Sequence, residues 1–136
     1  MAYWLLKTEP STYSFADLLR EKRTVWSGVS NAAALINLRA MKIGDQLLVY
    51  HTGDEKAVVG LAKVVKAAYP DPNEDNPKLV AVDIEAEVPL KRPVTLAEIK
   101  GDARFAEWGL VKVGRLSVVP TTKEQWAAVM ALAKKS

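Results

Sequence analysis

Val25-Trp26-Ser27-Gly28-Val29-Ser30-Asn31 is the stretch on which the reading of this chain turns. Thr24-Val25-Trp26 is a brief extended piece ending on an aromatic ring. Gly28 then lets the backbone bend. Ser30 or Asn31 caps a helix whose apolar positions Leu35, Leu38 and Met41 recur at helical spacing. The segment is therefore a strand–bend–helix junction, with the free N–H groups of a helix start beside an indole. Such a junction can stack a planar ligand and hydrogen-bond its edge, as proteins do with unstacked bases.

Outward from the junction, the pattern alternates between short apolar runs and punctuation. Tyr3 to Lys7 is a first strand, broken at Glu9-Pro10-Ser11. Ser14 caps a helix in which Phe15, Leu18 and Leu19 share a face. Lys42 to Asp45 is a turn. Gln46 to His51 is nearly all apolar, as a buried strand is, and Thr52 to Lys56 is a hairpin-like loop. Ala57 to Val65 is a second buried strand, with Gly60 marking a bulge or a close backbone approach. Tyr69 to Lys78 holds three prolines and reads as a loop. Val80 to Val88 alternates, with Val80, Val82, Ile84, Ala86 and Val88 on one side and Asp83, Glu85 and Glu87 on the other. Thr95 with Glu98 makes a capping box. Leu110 to Val119 reads as a strand pair or bent strand around Gly114. Thr122 with Gln125 caps a last helix carrying Trp126, Val129 and Met130. This order predicts one α+β domain over residues 1–136, its strands closed into a small barrel.

Composition narrows the function classes. About half of the 136 residues are apolar, enough for a core without staples. With no cysteine there is no disulfide, no thiolate metal site and no cysteine nucleophile. No leader pattern and no membrane-length apolar run occur, so the expectation is a cytoplasmic protein without membrane contact. The net charge of +3 is unevenly spread. Residues 1–66 carry nine basic and six acidic side chains, residues 70–87 one and six, and residues 88–136 nine and four. Segregation of this degree suits either an ordinary solvated surface or a basic face that meets phosphates.

Catalytic apparatus is hard to find. His51 is the only histidine, without partners at ligand spacing for a metal. There is no Gly-x-Ser-x-Gly elbow and no Gly-rich phosphate loop. What remains is aromatic: Trp4, Tyr13, Trp26, Tyr50 and His51 lie at or beside the ends of elements. Trp4 and Tyr50 also suit a core, and Asn31 a simple cap.

Several stretches together resemble the EVE domain family. They are Tyr3 to Ser11, Val25 to Asn31, Asn37 to Asp45, Val49 to Thr52, Val59 to Val65, Ala68 to Pro72 and Arg115 to Pro120, in family order over almost the whole chain. The resemblance implies a PUA-like mixed or antiparallel β-barrel flanked by helices, related to YTH, ASCH and PUA domains. It also implies a pocket for a flipped or single-stranded, often modified, nucleobase of DNA or RNA, with no catalysis and no cofactor. Relatives of this kind read modified cytosines in DNA, and YTH domains read methylated adenine in RNA. Where the family pattern is Trp-Asp-Gly-Val-Arg-Asn-Tyr-Gln-Ala, this chain has Ser27, Ser30, Ala32 and Ala33 in place of the acid, arginine, tyrosine and glutamine. The resemblance therefore implies a pocket that is wider, differently selective or vestigial.

The ligand set expected on these grounds is Trp4, Lys7, Glu9, Trp26, Ser27, Gly28, Val29, Ser30, Asn31, Tyr50, His51 and Thr52, with Trp4, Lys7, Trp26, Asn31 and His51 converging on one cavity. Arg39, Lys91, Arg92 and Arg115 are the candidates for nucleic-acid backbone contacts, and a monomer is expected. Two other readings stay open. One is a small-molecule or protein-interaction module on the same barrel. The other is an enzyme acting on nucleosides or RNA, with His51 or Glu9 as its acid or base.

Overall fold

The computed structural model describes residues 1–135. Its elements run β1 (Tyr3–Thr8), α1 (Phe15–Glu21), β2 (Arg23–Trp26), α2 (Ala32–Ala40), β3 (Gln46–His51), β4 (Ala57–Pro70), β5 (Val80–Thr95), α3 (Leu96–Lys100), a 3₁₀ turn (Ala103–Phe105), α4 (Gly109–Lys112), β6 (Val118–Thr121) and α5 (Lys123–Ala133). The six strands form one sheet in the order β2-β5-β4-β3-β1-β6. Every neighbouring pair is antiparallel except β1 and β3, which run parallel from Tyr3 opposite Gln46 to Thr8 opposite His51.

The apolar runs of β1 and β3 have a simple cause: both faces of these strands are covered. Trp4, Leu6, Leu47 and Val49 point into one core with Phe15 and Leu18 of α1 and Leu35 and Leu38 of α2. Leu5, Leu48 and Tyr50 point into a second core with Ile99, Phe105, Trp108, Leu110 and the inner face of α5. A strand buried on both sides cannot alternate.

The same cover explains why the expected barrel does not close. A barrel packs its strands around a single interior, whereas this sheet is sandwiched between helices. Strand β2 pairs with β5 alone and β6 with β1 alone, so both edges stay open.

Three local expectations also change. Leu110 to Val119 is not extended: Leu110 to Lys112 belong to α4, and only Val118 and Val119 reach a strand. Trp108 is the reason, since its ring is sunk in the second core with Phe105 and its indole N–H reaches Pro120 O and Thr121 Oγ1, both at 3.2 Å. Strands β4 and β5 outrun their expected ends, and the register between them shifts four times. Those shifts break the alternation, so Val88 is exposed and Ala81 is buried. Leu19 also turns to solvent, unlike Phe15 and Leu18.

Gly60 proves to be both a bulge and a close approach. The β4–β5 register shifts on either side of it. The Phe15 ring lies so close that a Cβ on Gly60 would meet its atoms at 2.3–2.5 Å. Gly60→Ala should therefore destabilise the protein by about 1–3 kcal/mol, as overpacking does. Gly114→Ala, where a Cβ meets nothing within 4 Å, is the control and should change little. Urea unfolding of the two variants checks this.

Asp45 ties the N-terminus to the sheet. It is 2% exposed, and its carboxylate accepts from Ala2 N–H (3.0 Å), the Trp4 indole (3.0 Å) and Lys42 N–H (2.9 Å). Burial pushes its pKa up, but these donors and the nearby terminal ammonium outweigh that and hold it below the usual carboxylate value. A depressed folded-state pKa gives stability that is complete above the unfolded value of about 3.9 and fades as pH falls through the folded one. Unfolding midpoints measured from pH 6 down to pH 2.5 should show this loss. In Asp45→Asn the midpoint should be lower at neutral pH and its acid dependence shallower.

Candidate functional site

A cleft of about 580 Å³ lies between the open edges of the sheet. One side is the end of β1 (Lys7, Thr8, Glu9) with Ser117, just ahead of β6; the other is β2 from Thr24 to Trp26 and the bend from Ser27 to Asn31. Thr12 and Tyr13 close it off.

Its aromatic wall is a pair. Tyr13 and Trp26 meet edge to face, with centroids 6.2 Å apart and planes at 79°. Trp26 is half-buried, so it is neither a pure core residue nor a free surface ring. The Tyr13 hydroxyl donates to Glu21 Oε1 at 2.6 Å. Burial first, and then that carboxylate, push the phenol up to about 12, so it stays a neutral donor.

The polar wall is the bend. Gly28 has φ +77°, which a side chain would resist. Its N–H donates to Asp71 Oδ2 at 3.0 Å. Asp71 is 3% exposed and also accepts from Asn73 N–H at 2.9 Å, while the Asn73 amide donates to Ser27 Oγ at 3.2 Å. The acidic loop thus braces the bend from behind. Val29 anchors the bend in the first core, and Asn31, rather than Ser30, caps α2 by accepting from Ala34 N–H at 3.0 Å. Glu9 accepts from Ser11 N–H and Oγ, and these bonds hold its carboxyl below the usual value.

Of the five residues expected to converge, Lys7, Trp26 and Asn31 line the cleft, together with Glu9, Ser27, Gly28, Val29 and Ser30. Trp4 and His51 do not. Trp4 is spent on Asp45 in the core. His51 accepts from Phe15 N–H through Nε2 at 3.0 Å, and its Nδ1 faces Glu55 Oε1 at 2.6 Å. It therefore satisfies an otherwise orphaned N–H in the first turn of α1. Tyr50 and Thr52 line a separate, smaller pocket that shares Lys7 with the cleft. Among the backbone-contact candidates, Arg39 is bound to the Lys78 carbonyl, and Arg92 to Glu98 and to Leu132 O. Lys91 and Arg115 are exposed.

Asp71, Asn73, Thr12, Thr24 and Ser117 were not expected at the site. Asp71 could have been suspected, since it lies in the Ala68 to Pro72 stretch that resembles the family.

The sequence profile of the EVE domain matches residues 2–132. The chain belongs to the EVE domain family. A protein of Rhodopseudomonas palustris with an NMR structure is 42% identical and superposes with a TM-score of 0.92 over 98% of this chain and 93% of its own. Human thymocyte nuclear protein 1 is 34% identical over 98% of this chain and 75% of its own length. A crystal structure of the human THYN1 protein in complex with 5-methylcytosine-containing DNA superposes with a TM-score of 0.93, covering 100% of this chain and 99% of that one at 33% identity. At 17% identity and a TM-score of 0.64, an ASCH protein of Zymomonas mobilis shares the fold.

Asp71→Ala should leave the part-buried Gly28 and Asn73 N–H groups without their charged acceptor and cost about 1–3 kcal/mol. The Gly28 amide should lose hydrogen-exchange protection by about tenfold or more, while amides of β1 and β3 follow only the global change.

Proposed function

We propose that this chain is a non-catalytic reader of modified cytosine in DNA, with 5-methylcytosine as the first base to test, and that the base enters the cleft beside Trp26. The observation that carries this reading is the human relative crystallised with 5-methylcytosine-containing DNA, whose fold this chain shares over its full length. The cleft fits the role. Its volume exceeds that of a base, one wall is aromatic, and the bend offers Ser27, Ser30 and Asn31 for a base edge.

A role without chemistry is favoured by where the two acid–base candidates stand. Both ring nitrogens of His51 are engaged away from the cleft, and Glu9 is held by Ser11. Serine at positions 27 and 30, in place of an acid and an arginine, removes charged edge contacts. Binding is therefore modest in affinity, and lowered further by salt as phosphate contacts are screened.

Fluorescence anisotropy with paired oligonucleotides, methylated and unmethylated at one cytosine, tests the reading. A buried methyl group is worth about 0.8 kcal/mol, so the methylated strand should bind about fourfold more tightly. Trp26→Ala should lose about 1–3 kcal/mol of binding, while Trp26→Phe keeps most of it. An alanine variant that binds as well as the parent would exclude Trp26 as the stacking platform, and equal affinity for both strands would exclude methyl recognition.

A further inference from the structure

The smaller pocket, about 250 Å³, is lined by Lys7, Lys56, Lys100 and Tyr50 among others, with the Lys7 ammonium 6.0 Å from the Tyr50 ring centroid. Its elements bring the three cations together from distant places. Lys7 is next to last in β1, Lys56 immediately precedes β4, and Lys100 sits one turn beyond Leu96, on the same face of α3. No acidic residue lines it. Glu9 rests against Gly53 at its rim but is turned to Ser11, and Glu55 is taken by His51.

Tyr50 gives the second, independent sign. The residue is 3% exposed, and burial alone, with no hydrogen bond, acts on its phenol. No described side-chain polar atom is both sealed from solvent and unpartnered, so this hydroxyl opens on to the pocket that its ring lines. A free phenol donor in a pocket bordered by three lysines suits a tetrahedral oxyanion. Lys7 is half-buried, donates to Gly114 O at 3.0 Å, and stands between this pocket and the cleft.

We propose that the pocket of Tyr50, Lys7, Lys56 and Lys100 is a phosphate site, and that it holds a backbone phosphate of the strand whose base enters the cleft. The second half rests on reading the cleft as a base site. The geometry behind it is the shared Lys7, which borders both spaces.

Two measurements separate the claims. In the first, inorganic phosphate is titrated into the protein and followed by amide NMR, against sodium chloride at matched ionic strength. Saturable shifts at Tyr50, Lys56 and Lys100 that chloride does not reproduce, and that vanish in the double variant Lys56→Gln/Lys100→Gln and weaken in Tyr50→Phe, are expected. Absence of saturation overturns the site. In the second, binding of the methylated oligonucleotide is measured as a function of salt. The double variant should lower the slope of log K against log salt by about 0.7–0.9, the share of one phosphate. Trp26→Ala should lower affinity and leave the slope alone. Saturable phosphate binding with an unchanged slope in the double variant means that the pocket serves free phosphate, and overturns the assignment to the strand. Failure of any oligonucleotide to bind overturns the cleft reading and the strand with it, while the first measurement still decides whether the pocket takes phosphate.

Discussion

Strands β1 and β3 lie side by side and parallel at the heart of the sheet, and neither has a wet face. Most of the rest follows from that. Two strands that need cover above and below require helices on both sides, which the chain supplies as α1 and α2 before β3 and as α3 to α5 after β5. A sheet held in this way cannot curl fully on itself, so its edges stay apart. The cleft occupies that gap, between β2 on one side and the end of β1 with Ser117 on the other. The opening is a by-product of how the core is satisfied, and its lining residues are those that happen to end strands there.

Holding the opening in shape is a separate task, met by polar groups buried for the purpose. Asp45 pins the N-terminal segment through three donors, and Asp71 pins the left-handed Gly28. His51 completes the first turn of α1, so that Phe15 can press on Gly60. Each of these sits outside the cleft or behind it. They are expensive to bury, and their hydrogen bonds offset that expense only in this arrangement.

Much of this was legible in the sequence. The apolar runs 3–7 and 46–51 gave buried strands, the capping boxes at Thr95 and Thr122 gave helix starts, and Gly60 announced a tight contact that the Phe15 ring duly makes. The family was legible from motifs spread over the chain. Less visible was anything decided by contacts far apart in sequence. The run 110–119 has strand-like composition, yet Trp108 turns it into helix and loop by claiming a place in the second core. Trp4 and His51 carry side chains of the right chemistry for a site, but each is committed to a partner, Asp45 or Phe15, more than 30 residues away. Conversely, Lys56 and Lys100 have nothing in their local sequence that joins them to Tyr50; only the sheet does so.

The docking of the acidic loop on Ser27 has one more effect. Asn73 touches the cleft rim, and its neighbours Glu74 and Asp75 are exposed beside it, while Lys7, near the end of β1, borders the smaller pocket with Lys56 and Lys100. Charge around the two openings is therefore uneven: acidic residues of the loop stand near the cleft rim, Lys7 and Glu9 share its opposite wall, and two further lysines border the neighbouring pocket. The rim thus carries acid near one wall and base near the other, an imbalance that ions in solution flatten as salt rises.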